Sequence, residues 1–331
     1  MTLKDKIITL SSLGKLLRSA EFTEKKSGWA SRAKNENGWF TEDNVFLALD
    51  HISSHYLDED LLVNYSSDMQ PDVRKTVGVV AAGNIPLVGF HDLLSVVLSG
   101  HKALLKLSTS DSVLMKLMID RLININPEIA QYITIADRLN SADAFIATGS
   151  DNSSRYFQHY FGTKPHIIRQ NRSSVAILNG EESDRELRDL GNDIFFYFGL
   201  GCRNVSKLFV PEGYSFTRFF EAIEYWNTIH IHHKYSNNYD YNKSIYLVNG
   251  DTHLDNGFLL LKEDSNLVSP LGAVFYETYR DEADLNNKLE INSTKLQCIV
   301  GKDNIPFGQS QFPELNDFAD GVNTMKFLAT I

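Results

Sequence analysis

The feature that most limits the fold is an alternation of short β-branched runs with amphipathic stretches, beginning at Thr76. Thr76-Val77-Gly78-Val79-Val80-Ala81-Ala82, closed by Gly83, predicts a strand buried on both faces. An apolar helix from Leu87 to Leu98 follows, stopped by Gly100; Ala103 to Leu107 is the next strand, and a helix runs from near Asp111 to Ile123. Tyr132–Ala136 and Ala144–Ala147 predict two more strands, the second ending in Thr148-Gly149-Ser150. A helix from Asn152 to Phe161 and strands near Ile167 and at Val175–Leu178 continue the pattern. Alternation at this spacing predicts an α/β fold with a mostly parallel sheet, doubly wound by helices on both faces.

Before this stretch the chain reads as helical, at Leu3–Leu17 and Glu42–Tyr56, with Trp29–Phe40 as an irregular connection. After Gly180 the organisation restarts. Helices are predicted at Glu182–Phe198, Phe216–Trp226 and Glu282–Leu289, and strands at Lys207–Pro211, Ile245–Val248, Phe258–Leu261, Val274–Tyr279 and Leu296–Val300. A chain of 331 residues can support two cores. The expected division is a cofactor-binding domain with its N-terminal helices over 1–178, a catalytic domain over 179–310 and a C-terminal tail over 311–331. A ligand cleft is expected between the two halves.

Composition narrows the functional classes. A net charge of −10 with no basic stretch argues against nucleic acid as the partner. The two cysteines, Cys202 and Cys298, are far apart and do not have a metal-ligand spacing, so neither a disulfide framework nor a metal site is expected. Cys298 lies in a strand-like run and reads as core. No apolar run nears the ~18 residues of a membrane span, and no signal-peptide pattern opens the chain. The expectation is a cytoplasmic protein without a membrane partner.

The residue that suggests chemistry is Cys202. Glycines end the preceding amphipathic run (Phe198-Gly199-Leu200-Gly201), and an apolar strand follows. A thiol on a helix-to-strand turn is placed to be reached by substrate and to attack a carbonyl; an isolated cysteine is otherwise a small buried hydrophobe. Gly83-Asn84-Ile85-Pro86 closes the first strand of the sheet, where such folds bind ligands. Asn84 is a candidate oxyanion donor there, or a turn residue satisfying its own backbone. Lys106, followed by Ser108, Thr109 and Ser110, suits a ribose or phosphate, or is a plain surface lysine. Gly149-Ser150 opens a helix whose free N–H groups suit a phosphate, although no Gly-x-Gly-x-x-Gly is present.

Taken in order, these segments resemble the aldehyde dehydrogenase superfamily and, within it, the LuxC-type fatty acyl-CoA reductases. Gly83-Asn84-Ile85-Pro86 is similar to the superfamily turn whose asparagine serves the oxyanion hole, Leu105-Lys106 to its ribose lysine, and Thr148-Gly149-Ser150 to its pyrophosphate-facing Gly-Ser. Gly201-Cys202 through Val210 resembles the nucleophile motif, and Pro306-Phe307-Gly308 the late Pro-Phe-Gly turn. The likeness runs from Val73 to the C-terminus. It implies an aldehyde dehydrogenase-like fold, Cys202 and Asn84 as catalytic residues, and Ile85, Pro86, Lys106, Ser108, Thr109, Gly149 and Ser150 as cofactor-binding residues. It also implies an acyl-CoA or other acyl thioester as substrate. Asn323–Leu328 resembles the terminal strand used in dimer pairing, which implies a homodimer; partner enzymes of acyl metabolism fit the same family.

The departures from the pattern sharpen the expectation. Counting back from Cys202, the segment that carries a water-activating glutamate in hydrolytic members is Ile168-Arg169-Gln170-Asn171-Arg172-Ser173, without a carboxylate. An acyl-enzyme without a base is not readily hydrolysed but still exchanges with a thiol, as an acyl-CoA reductase requires. A non-acylating aldehyde dehydrogenase is the alternative, as is a catalytically weak subunit that presents acyl groups. Thr109 stands where an acidic residue often follows the ribose lysine; a carboxylate there would repel a 2′-phosphate, so NADPH is expected, with NADH permitted. Ser269 replaces the glutamate expected at the nicotinamide ribose. His230, His232 and His233 read as part of a loop lining the acyl entrance, and Arg169 and Arg172 as surface partners of Glu181–Asp184, with anchoring of anionic parts of a nucleotide as the alternative.

Overall fold

The computed structural model describes residues 1–67, 69, 73–149 and 151–331. They form two compact units: Met1–Asn171 with Pro313–Ile331, and Arg172–Phe312. The division falls before the strand at Ser173 rather than near Asn179, and residues 313–331 pack with the first unit.

The first unit opens with four helices, α1 (Leu3–Leu17), α2 (Ala20–Glu36), α3 (Glu42–His51) and α4 (Glu59–Tyr65). The expected irregular stretch from Trp29 is therefore mostly helix. Its buried residues Phe22, Trp29 and Ala33 are seven and four apart and line one face of α2. The alternating region then gives β1 (Thr76–Val80), α5 (Phe90–Leu98), β2 (Lys102–Lys106), α6 (Ser112–Ile125), β3 (Ile133–Ile135), β4 (Ala144–Thr148), α7 (Asp151–Phe161) and β5 (His166–Arg169). Among the described residues these five strands form one sheet in the order β3-β2-β1-β4-β5, every pair parallel. The order reverses between β1 and β4, so a crevice opens at their carboxyl ends. Val77, Val79, Leu105 and Ile146 are fully buried in the middle of this sheet.

The second unit comprises β6 (Ser173–Ile177), α8 (Asp184–Phe195), β7 (Val205–Pro211), α9 (Thr217–Ile223), α10 (His233–Asn249), β8 (Leu254–Asp255), β9 (Leu260–Glu263), β10 (Ala273–Tyr279), α11 (Glu282–Asn292) and β11 (Leu296–Val300). Its sheet runs β11-β6-β7-β10-β9-β8, parallel except for the short β8. The strand expected at Ile245–Val248 is the last turn of α10. That helix buries Tyr235, Tyr239, Asn242 and Tyr246, a stripe at helical spacing with too many polar atoms to register as apolar periodicity, and leaves Val248 86% exposed.

Residues 313–331 close the first unit. Asn323–Leu328, expected as a dimer-pairing strand, is instead the start of helix α12 (Thr324–Thr330), N-capped by the Asn323 side chain. The buried His101 accepts the Lys75 N–H at Nδ1 and donates from Nε2 to Leu328 O. Arg169, at the end of β5, donates to Thr324 and Thr148 and pairs with Asp92 of α5 at 2.6 Å. Arg169 and Asp92 are 5% and 6% exposed, so the expected surface pairing with Glu181–Asp184 is not formed. Arg172 donates to Leu296 O, and Asp184 pairs with Arg218 instead. No helix among the described residues is long and apolar enough to cross a membrane.

Candidate active site

In the first unit the predicted residues gather at the carboxyl ends of β1, β2 and β4. The register sets Val80 beside both Lys106 and Ala147. Gly83 follows β1 in close contact with Ser108: a Cβ at Gly83 would lie 2.3 Å from Ser108 Oγ, so only glycine fits. Ser108 Oγ also accepts the Ser110 N–H. Asn84 is exposed, Ile85 half-buried and Pro86 buried. The turn then passes through Leu87 in the left-handed region (φ 58°), where the Leu87 N–H donates to Asp111 Oδ2 at 2.7 Å. Asp111 is 1% exposed, and burial pushes its carboxyl well above the usual carboxylate range. A strained turn is thus held by a buried acid that sequence reading did not single out.

Lys106 and Thr109 are exposed. Lys106 lines a cavity of about 420 Å³ with Arg138, Lys164, Phe145, Phe157 and Tyr160. Three cations face one carboxylate there, Asp137. The aromatic rings offer flat surfaces for a planar base and the cations suit phosphate oxygens. Arg138 lies just past the carboxyl end of β3, so the strand-end rule that marked Lys106 points equally to it. Gly149 follows β4 and packs tightly against α7: an added Cβ would lie 2.8 Å from Ser153 Cβ. Ser150 is outside the described residues. A more open cavity of about 730 Å³ lies along α7 and β5, lined by Arg155, His159, His166 and Gln170 among others, and contains none of the predicted site residues. The α6 N-terminus is occupied by Glu36 of α2, whose carboxylate accepts the Ser112 and Val113 N–H groups at 2.9 and 3.0 Å.

Cys202 belongs to the second unit, on the turn between α8 and β7, and is exposed. Three left-handed residues lead to it: Tyr197 (φ 52°), Phe198 (φ 59°) and Gly199 (φ 79°). Asn204, two residues beyond the thiol and 3% exposed, organises the turn. Its Oδ1 accepts the Gly201 N–H at 2.8 Å, and its Nδ2 lies within donating distance of Asp193 O, Ile194 O and Phe196 O at 3.1, 3.3 and 2.8 Å. Carbonyls at the end of a helix lack intrahelical donors, and here one side chain serves them. Ser174 of β6 donates to Cys202 O at 2.9 Å and lies 3.0 Å from Cys298 Sγ, so Cys298 is buried in β11 as expected.

The Pro306-Phe307-Gly308 turn is held by the same helix. Asp193 accepts the Gly308 and Ser310 N–H groups at 2.6 and 2.9 Å, and burial, partly offset by these bonds, pushes its carboxyl up to about 6. Ser269 caps its own loop by donating to Ala273 O. Of the histidines, His233 begins α10 and His232 stacks on Phe198 at 4.2 Å, which places His232 against the turn that carries the thiol. Among the described residues no three His, Cys, Asp or Glu side chains converge to hold a metal ion.

The two wound sheets define the aldehyde dehydrogenase fold. Similar solved structures include an NADP-dependent enzyme of E. coli (TM-score 0.69, 13% identity, 91% of this chain and 73% of that one). Betaine aldehyde dehydrogenase of Staphylococcus aureus in complex with NAD+ matches at TM-score 0.67 and 11% identity over 92% of this chain and 72% of that one. Aldehyde dehydrogenase C of Pseudomonas syringae with NAD+ and octanal matches at TM-score 0.65 and 11% identity over 92% and 73%. No curated protein matches the sequence. The family described as Acyl-CoA reductase (LuxC) matches residues 48–222, more than half of the chain, and the chain belongs to that family. The matched stretch includes Asn84, Lys106 and Cys202.

Proposed function

We propose that the chain reduces an acyl thioester to the aldehyde through a covalent acyl-cysteine at Cys202. The observation that carries this reading is an exposed thiol on a tightly bonded turn within the segment matched to the LuxC family. Cys202 attacks the carbonyl carbon of the acyl-CoA; the C–S bond to CoA breaks, and CoA leaves as the thiol once protonated. The Cys202 backbone N–H and the Asn84 side-chain amide are the proposed donors to the oxyanion. A nicotinamide, when bound, supplies the hydride that reduces the acyl-enzyme. The thiohemiacetal on Cys202 then releases aldehyde and restores the thiol. With no carboxylate from Ile168 to Ser173, the acyl-enzyme lacks the water-activating base of that segment, which favours reduction or exchange with a thiol over hydrolysis.

The residues near Lys106 fit a dinucleotide. The cavity supplies three cations and aromatic faces, and Gly83 and Gly149 close the neighbouring strand ends by packing on Ser108 and on Ser153. Lys106, Ser108, Thr109, Gly149 and Ser150, with Ile85 and Pro86 at the turn, are the proposed cofactor residues. Arg138 and Lys164, beside Lys106 and with no carboxylate at Thr109, favour NADPH. In this reading the enzyme acts in the cytoplasm.

The test is mass spectrometry of the intact protein after incubation with dodecanoyl-CoA. The expected result is one acyl adduct, mapped to Cys202, discharged as aldehyde on adding NADPH and stable in buffer. An adduct that forms equally on the Cys202→Ala variant, or discharges as free acid without nucleotide, refutes the proposal.

A further inference from the structure

Two consecutive non-glycine residues in the left-handed region, Tyr197 and Phe198, stand immediately before the nucleophile turn. Such conformations persist only where surrounding bonds impose them. The bonds that do so converge on Asn204, which ties the Gly201 N–H on one side to Asp193 O, Ile194 O and Phe196 O on the other. The residue whose carbonyl Asn204 reaches, Asp193, uses its own carboxylate to hold Gly308 and Ser310. Arg203, the residue after the thiol, reaches Ser310 O at 3.4 Å and closes the loop of contacts. Both polar side chains are buried, Asn204 at 3% and Asp193 at 0%, while the thiol itself is exposed.

We infer that Asn204 and Asp193 are positioning residues that lock the Cys202 turn, the end of α8 and the 306–310 turn into one unit, so that the thiol meets an acyl carbonyl in a fixed orientation. Neither side chain needs to touch the substrate. The inference rests on Cys202 being the nucleophile and goes beyond it by assigning what orients the nucleophile. Displacing a reacting group by an ångström costs on the order of 100-fold in rate. A small electrophile that needs only an accessible thiolate is far less demanding.

The test uses the full chain and three variants, Asn204→Ala, Asn204→Asp and Asp193→Asn. Asn204→Asp keeps the acceptor for Gly201 and loses the amide donor; Asp193→Asn is isosteric and removes one of two bonds, because its NH2 cannot accept from a backbone N–H. Rapid-quench mass spectrometry with dodecanoyl-CoA measures acylation, iodoacetamide measures thiol accessibility, and hydrogen exchange measures protection of residues 196–205 and 306–310. For Asn204→Ala the expected maximal acylation rate falls roughly 30- to 100-fold, with half-saturation and iodoacetamide rates changed less than about 3-fold. Asn204→Asp, which sets a buried carboxylate oxygen against three carbonyl oxygens, falls at least as far as Asn204→Ala, and Asp193→Asn loses about 3- to 10-fold with faster exchange at Gly308 and Ser310.

The inference is overturned if folded Asn204→Asp and Asp193→Asn proteins acylate at the parental rate. It is equally overturned if acylation and alkylation fall by one common factor, since that reports access or ionisation of the thiol rather than its orientation. Should Asn204→Ala not fold, the other two variants decide. If the parent protein itself forms no adduct with dodecanoyl-CoA, the acyl-transfer reading fails; the exchange experiment still judges the lock, and unchanged protection of residues 196–205 in Asn204→Asp refutes it.

Discussion

Replacing Asp92 by asparagine preserves shape and removes one charge from the buried pair with Arg169. At 2.6 Å and an effective dielectric constant of 20, the pair's gross attraction is about 6 kcal/mol. Part of this is recovered because an asparagine oxygen still accepts from the guanidinium, and Thr148 and Thr324 remain as partners at 3.3 and 3.1 Å. The charge left on Arg169, 5% exposed, then has no counter-ion at contact, and breaking such pairs costs about 3–5 kcal/mol. Trp29 and Trp39 lie in the first unit and Trp226 in the second, so fluorescence in a Trp226→Phe background follows the first unit alone. With a urea slope of about 3 kcal/mol per molar, the midpoint should drop by about 1 M or more. The double variant Asp92→Leu, Arg169→Met should recover most of that loss, because apolar replacement of both partners removes the stranded charge. A drop below about 0.3 M for Asp92→Asn, the size expected of an exposed pair, would refute the reasoning.

Three further outcomes follow from the site. Gly83→Ala forces a Cβ against Ser108 Oγ and should cost about 1–3 kcal/mol, with recovery in the Gly83→Ala, Ser108→Gly double variant; a melting temperature unchanged by the single substitution contradicts the contact. Lys106→Ala or Arg138→Ala should raise KM for NADPH roughly 10- to 100-fold and move KM for NADH much less, as steady-state kinetics with the two nucleotides will show; equal effects on both remove the 2′-phosphate assignment. Asp193 has a folded pKa of about 6, above its ordinary 3.8, so its stabilising contribution is complete below pH 3.8 and is lost as pH rises through 6. Relative to Asp193→Asn, the parent should therefore lose up to about 3 kcal/mol between pH 4 and 7 in urea titrations; a constant difference across that range contradicts the burial argument.

Much of the fold was legible because burial on both faces of a parallel sheet writes itself as uninterrupted β-branched runs. The strands at Thr76, Ala103, Ala144, Val175 and Lys207 are present, and the LuxC likeness named on the Cys202 segment agrees with the family match. The misassigned elements have separate causes. α2 buries only four apolar residues spread over seventeen positions, α10 buries tyrosines and an asparagine, and α12 is too short to show a period, so apolar spacing was a poor guide to all three. The candidate site divides the same way. Gly83, Lys106 and Cys202 sit at element ends that a pattern marks, whereas Asp111, Arg138, Asp193 and Asn204 became visible only through what they touch.

The sequence alone determined the class of fold and the order of its strands and helices in the wound sheets, because hydrophobic periodicity is a local property of a chain. Tertiary structure alone decided that Arg169 is a buried ion-pair partner, that residues 313–331 return to the first unit, and that Asn204 and Asp193 brace the thiol's turn. A polar side chain reads the same in sequence whether it is solvated or buried. Its role depends on which donors and acceptors the rest of the fold brings within about 3 Å of it.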